Sequence, residues 1–243
     1  MTLSLDREII YPDSDGQPMA DNTLQFRWIV LLKENLDCLF ADNPEVFVAG
    51  DLLWYPVEGH PEIRMAPDVM VVLGRPKGDR GSYRQWLEGN QPPQVVFEVL
   101  SPGNTTQEMT RKLKRYEQYG VEEYYIYDPD CNELTGLERL DEALQLIEGV
   151  EHWTSPRLGI RFELGETGLS VFYPDGRPFL TTIELARQAE LAQRRAEQAD
   201  QQLALERQRA EQAQQQAEQA QQRAEQAEME NIRLRELLRQ AGL

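Results

Sequence analysis

The chain has 243 residues and a formal net charge of −17, room for one sizeable domain plus an added element. Eleven acidic and nine basic residues follow position 182, so the tail carries −2 and the rest of the chain −15. That excludes a generally basic surface for nucleic acid or anionic membrane, so any polyanion must meet a local basic patch.

Residues 1–20 are expected to be an N-terminal extension. Residues 22–40 read as an amphipathic helix capped by Asn22, with Ile29, Leu32, Leu36 and Phe40 at helical spacing. Val46-Phe47-Val48 is a strand, and Pro67–Leu73 a second. The polar, Gly- and Pro-rich stretch 74–93 is a loop with room for one short helix. Val95–Leu100 is a third strand, apolar on both faces and so central in a sheet. Residues 105–119 are helical and stop at Gly120. Tyr124–Tyr127 is a fourth strand, and short β-like pieces alternate with turns from 131 to 182. This order predicts an α/β domain with a mixed central sheet flanked by helices, over residues 21–180.

Residues 183–241 differ in kind. With Ala196 at heptad position a, the a and d sites are mostly alanine over about six heptads, with Asn231 at an a site. A long helix follows, either paired as a coiled coil in a homodimer or higher oligomer, or single and solvated. Alanine layers bury little area, so pairing is expected to be weak.

Cys38 and Cys131 lie far apart without a CxxC spacing and suit a reducing cytoplasm. The opening MTLSLDREIIYP has no apolar core of signal-peptide length. No run approaches the roughly 20 apolar residues of a membrane span. The expectation is a cytoplasmic protein that does not enter membranes.

His60 and His152 are the only histidines, too separated for a His-rich zinc cluster. No GxSxG, GxGxxG or GxxxxGK[ST] occurs, which argues against serine hydrolase, dinucleotide and P-loop chemistry. What remains is carboxylates in apolar strands: Asp68 opening PDVMVVL and Glu98 inside VVFEVL. A buried carboxylate is costly unless it is paired or bound to a metal. Two on neighbouring strands repel unless a hard cation such as Mg²⁺ (or Mn²⁺) joins them. Singly, Asp68 could cap a turn and Glu98 could pair with an arginine. Lys112 shares a helix face with Met109, Leu113 and Tyr116, so its ammonium must meet an anion or reach out to water. Together, Asp68, Glu98 and Lys112 compose a metal-and-lysine phosphoester site, with the Val99 backbone carbonyl as a further ligand. Asp51 is either an additional ligand or a turn residue, and Glu108 either pairs with Lys112 or is solvated. Arg75, Lys77, Arg80 and Arg84 in the loop, with Arg111, Lys114 and Arg115 on the helix, could rim the site with positive charge or merely solubilise.

Pro67-Asp68, then Phe97–Pro102, then Lys112 four before Tyr116, then Gly120–Pro129 resemble the Uma2-type bacterial proteins. These are grouped with the PD-(D/E)XK restriction-endonuclease-like superfamily. The resemblance covers roughly residues 20–175. It implies a restriction-endonuclease-like core and Mg²⁺-dependent cleavage of DNA. The superfamily motif would place lysine at position 100, where this chain has Leu100. In the Uma2 group the lysine lies on the following helix, and Lys112 stands there. Two alternatives remain at this point: a non-catalytic scaffold acting through its coiled coil, and a metal-dependent hydrolase of another phosphoester.

Overall fold

The computed structural model describes residues 9–14, 16 and 18–240. Of the expected N-terminal extension, residues 1–8, 15 and 17 lie outside the described residues. So does 241, the expected end of the tail, along with the side chains of Leu234 and Leu238.

Asn22 caps α1 (Thr23–Leu39), its side chain accepting from the Leu24 and Gln25 amides at 2.9 Å each. Ile29, Leu32 and Leu36 are buried, as their spacing requires. The chain then runs through β1 (Val46–Gly50), β2 (Trp54–Tyr55), β3 (Val69–Leu73), β4 (Tyr83–Arg84) and β5 (Val95–Val99). Next come α2 (Thr106–Gln118), β6 (Glu123–Asp128), β7 (Glu133–Leu140) and β8 (Ala143–Leu146). A further hairpin, β9 (Arg161–Gly165) and β10 (Gly168–Phe172), precedes α3 (Thr182–Gln240).

Six strands form the central sheet in the order β1-β3-β5-β6-β7-β8. All neighbours are antiparallel except β5 and β6. That parallel pair needs a crossover, and α2 supplies it. β5 is buried along its whole length, as its unbroken apolar run implies. Side-chain alternation gives the sheet two packed faces. Val95, Phe97 and Val99 pack on one side with Ile29, Leu32 and Leu36 of α1. Val96, Met70 and Tyr124 pack on the other with Tyr116 of α2 and Trp54. Glu98 has the parity of Val96 and so emerges on the α2 face.

Two features lie beyond the expected pattern. β7 and β8 form a hairpin that widens the central sheet, where only short β-like pieces were expected. The 74–93 stretch, besides a one-turn 3-10 helix at Gln85–Glu88, contributes β4, which pairs in parallel with β2. Two-residue strands are too short to show periodicity. Residues through Thr182 make one compact unit and the helix from Ile183 onward a second. Every described side chain in that second unit is exposed. Cys38 and Cys131 are exposed free thiols. Among the described residues, no helix is long and apolar enough to cross a membrane.

Candidate active site

β3 and β5 run antiparallel with Val69 opposite Phe97 and Met70 opposite Val96. Extending that register by one residue sets Asp68 beside Glu98, on the same face of the sheet. Asp68 Oδ2 accepts from the Val99 amide at 2.6 Å. Both carboxylates are almost fully buried.

The Ser101-Pro102-Gly103 break turns the chain from β5 into α2, whose Thr105 cap accepts from the Glu108 amide at 3.2 Å. α2 then returns over β5. Lys112 Nζ lies 2.7 Å from Glu98 Oε2, and the Tyr116 hydroxyl donates to Glu98 Oε1 at 2.5 Å. Lys112 therefore pairs with Glu98 and not with Glu108. Glu108 instead accepts from the Asn104 amide group at 3.4 Å.

Burial, followed by the nearby Glu98 charge, pushes the Asp68 carboxyl up to about 8. The Val99 N–H and Lys112 act against this, and Asp51 adds to it. Burial also disfavours the Lys112 ammonium. The charge and hydrogen bond of Glu98, with help from Asp68, outweigh burial and hold its pKa above the ordinary lysine value. The Tyr116 hydroxyl is pushed far up by burial and by Glu98, so it stays a donor.

A cleft of about 410 Å³ opens over this cluster, lined by Asp51, Asp68 and Lys112 among others. Glu98 does not line it and meets it through Lys112. Asp51 follows β1 in the left-handed region (φ 47°), and its amide donates to the Asp68 carbonyl at 3.1 Å. The Val99 carbonyl accepts from Gln25 Nε2 of α1 at 2.8 Å. Gln25 Oε1 in turn accepts from the Asp21 amide at 2.8 Å. Among the described residues, no group of three or more His, Cys, Asp or Glu side chains is set to hold a metal ion.

The expected basic rim divides. Arg75 and Arg80 both bind Glu88, the Arg80 guanidinium lies 4.0 Å over the Phe47 ring, and Arg84 sits over Tyr11. None of these, nor Lys77, lines the cleft. Their loop leaves β3 at Leu73, the end away from Asp68, and a five-residue strand separates its ends by roughly 15 Å. Arg111 and Arg115 do line the cleft, joined by Arg64. Lys114 lines an adjoining hollow on α2.

Three contributors escaped the sequence patterns: Tyr116, Gln25 and Arg64. Tyr116 counted only as a core residue. Gln25 continues the α1 stripe of Ile29, Leu32 and Leu36 backward by one turn, and a polar residue on that stripe was the available signal. Arg64 sits in an irregular segment with no period to read. Another buried carboxylate, Glu123, lies on the opposite face. Ser155, the Arg157 amide and Tyr125 satisfy it at 2.5, 2.8 and 2.9 Å, which is a structural role.

Residues 10–170 match the model of the Uma2 family, described as a putative restriction endonuclease. The chain belongs to the Uma2 family. Among solved structures, a putative nuclease of DUF820 from Anabaena variabilis ATCC 29413 is similar. It is 12% identical, over 55% of this chain and 73% of that one, with a TM-score of 0.41. No curated protein matches the chain. Membership of the family supports a nuclease, and nucleic acid as its class of substrate.

Proposed function

We propose that the chain is a Mg²⁺-dependent endonuclease that hydrolyses DNA phosphodiester bonds, with Asp68 and Glu98 as metal ligands and Lys112 as the catalytic cation. The observation that carries this is Lys112 Nζ at 2.7 Å from Glu98 Oε2, with Asp68 and Lys112 lining one cleft.

The residues fit a divalent cation. Burial, and after it the neighbouring Glu98 charge, disfavour the ionised form of Asp68, and a cation between the two carboxylates would relieve both. The Lys112 ammonium already stabilises both in the manner of a small cation. Mg²⁺ is commonly bound by one or two carboxylates, with water and substrate phosphate completing its shell. Mn²⁺ accepts the same oxygen donors. The Val99 carbonyl keeps a second lone pair beyond its bond from Gln25, and Asp51 lines the same cleft.

When bound, such an ion supplies charge neutralisation at the phosphate and acidifies a water. The protein's own groups supply the rest. The Val99 N–H fixes one Asp68 oxygen, leaving the other for the cleft. Tyr116 fixes one Glu98 oxygen from beneath. Lys112 reaches the cleft with an ammonium able to donate to a phosphate oxygen or to hold the attacking water. A reducing cytoplasmic setting accords with the free thiols of Cys38 and Cys131.

The test is cleavage of supercoiled plasmid and of single-stranded DNA with and without Mg²⁺, beside Glu98→Gln. Metal-dependent cutting that disappears in the variant is expected. Equal activity in both proteins would assign the cutting to a contaminant.

A second role rests on α3, a 59-residue helix whose described side chains are all exposed. Its heptad pattern supports an arm that pairs with a second copy of this chain, either joining two catalytic domains or serving as a scaffold.

A further inference from the structure

Among the described arginines of the first unit, Arg75, Arg80, Arg157, Arg161 and Arg177 meet acids, while Arg84 and Arg139 donate to backbone oxygens away from the cleft. The three that line the cleft, Arg64, Arg111 and Arg115, have no carboxylate in ion-pair range among the described residues. In a body carrying −15, three such guanidiniums in one place need a reason. Arg115 and Arg64 are half-buried and held by backbone oxygens. Arg115 Nη1 donates to the Arg64 carbonyl at 3.0 Å, and Arg64 Nη1 to the Pro61 carbonyl at 3.2 Å. These bonds orient the guanidiniums without neutralising them.

Arg111 and Arg115 are one turn apart on α2, and Lys114 lies three residues beyond Arg111. Arg111 lines both the cleft and the adjoining hollow that Lys114 also lines. The cations therefore continue past the cleft along the helix. Asp21, before α1, Asp51, after β1, and Glu108, on the first turn of α2, line the same cleft and repel phosphate. That leaves the later turns of α2, from Arg111 onward, for a polyanion.

We infer that Arg64, Arg111, Arg115 and Lys114 form a phosphate track that holds a nucleic-acid strand of several nucleotides along α2, beyond the reacting bond. This rests on the nuclease reading and narrows it. The substrate is an extended strand, and a dinucleotide or small phosphodiester is held poorly.

The test uses the full chain in EDTA, with fluorescent single-stranded oligonucleotides of about 20 nucleotides as the probe and anisotropy followed across a salt series. Arg111→Gln with Lys114→Gln is the informative variant. Neither side chain has a hydrogen-bond or ion-pair partner among the described residues, so the fold is undisturbed. Two lost contacts lower the slope of log K against log salt by about 1.4 and weaken binding about tenfold near physiological salt. With Mg²⁺, cutting of the long strand falls by a larger factor than hydrolysis of a dinucleotide. An unchanged salt slope, or wild-type turnover of dinucleotide and long strand at equal efficiency, overturns the track and leaves the nuclease intact. A lowered slope in a protein that never cuts keeps the track and removes the nuclease.

Discussion

Tyr116 and Glu98 share a hydrogen bond of 2.5 Å, donated by a fully buried hydroxyl to a buried carboxylate. One turn earlier on the same helix, Lys112 holds the other oxygen at 2.7 Å. Glu98 is thus gripped on both oxygens by α2 alone. Tyr116→Phe keeps the ring stacked against Trp54 and removes only the donor. The expected loss is about 1–3 kcal/mol of stability, read by urea unfolding. Cleavage should fall through kcat with little change in KM, because the carboxylate loses its orientation and the cleft is untouched.

Lys112→Met removes the cation and leaves its partners buried. Breaking a buried pair on one side costs about 3–5 kcal/mol, so this variant should lose more stability than Tyr116→Phe and lose cleavage as well. Glu98→Gln combined with Lys112→Met should recover part of the stability and none of the activity. A double variant less stable than Lys112→Met alone would show that the pair is not the main source of the cost.

Asp68 titrates at about 8 in the folded protein against an ordinary value of 3.8. Between those values the folded state binds the proton more tightly than the unfolded chain. The contribution to stability is therefore complete at low pH and is lost as pH rises through about 8. Asp68→Asn should flatten that part of the stability profile between about pH 4 and pH 8. On the proposed metal reading Mg²⁺ would compete with the same proton, so its effect on Tm should grow with pH in the wild type. Melting curves over a pH series, with and without the ion, check both. A Mg²⁺ shift in Tm that does not depend on pH would separate the ion from Asp68.

Across a parallel, in-register pair of α3 helices, Arg195 would face Asp200, Arg223 would face Glu228 and Glu230 would face Arg235 in the heptad frame that places Asn231 at an a site. All three are attractive, so we expect weak, parallel dimerisation of the full chain. Sedimentation at rising concentration should show it, and a chain ending at residue 182 should remain monomeric. Arg223→Glu should weaken pairing, and Glu228→Arg added to it should restore pairing. A full chain that is monomeric at every concentration would rule the arm out.

The elements with a strong period were legible in the sequence. Asn22 marked the start of α1, VVFEVL marked the central strand, and Met109 to Tyr116 marked the packed face of α2. Glu98 and Lys112 stood out because a charge interrupts an apolar pattern in both places. Tyr116 did not, since an aromatic residue satisfies that pattern and its hydroxyl leaves no trace in it. Arg75 and Arg80 were drawn toward the site by closeness in sequence. In space they leave from the far end of β3, and Glu88 takes their charge. Arg64 and the short β2–β4 pair depend on tertiary contacts alone, which no local window contains.

The clamp on Glu98 also fastens a helix to a strand. Its two bonds tie α2 to β5 on one side of the sheet, so whatever draws Glu98 toward the cleft loosens the helix that bears Arg111 and Arg115. Amide exchange along α2 then becomes a gauge of occupancy at the carboxylates, readable without any turnover. It also means that inactive variants at Glu98 are variants of the scaffold, and their loss of cutting has meaning only beside a measurement of how firmly α2 is still held.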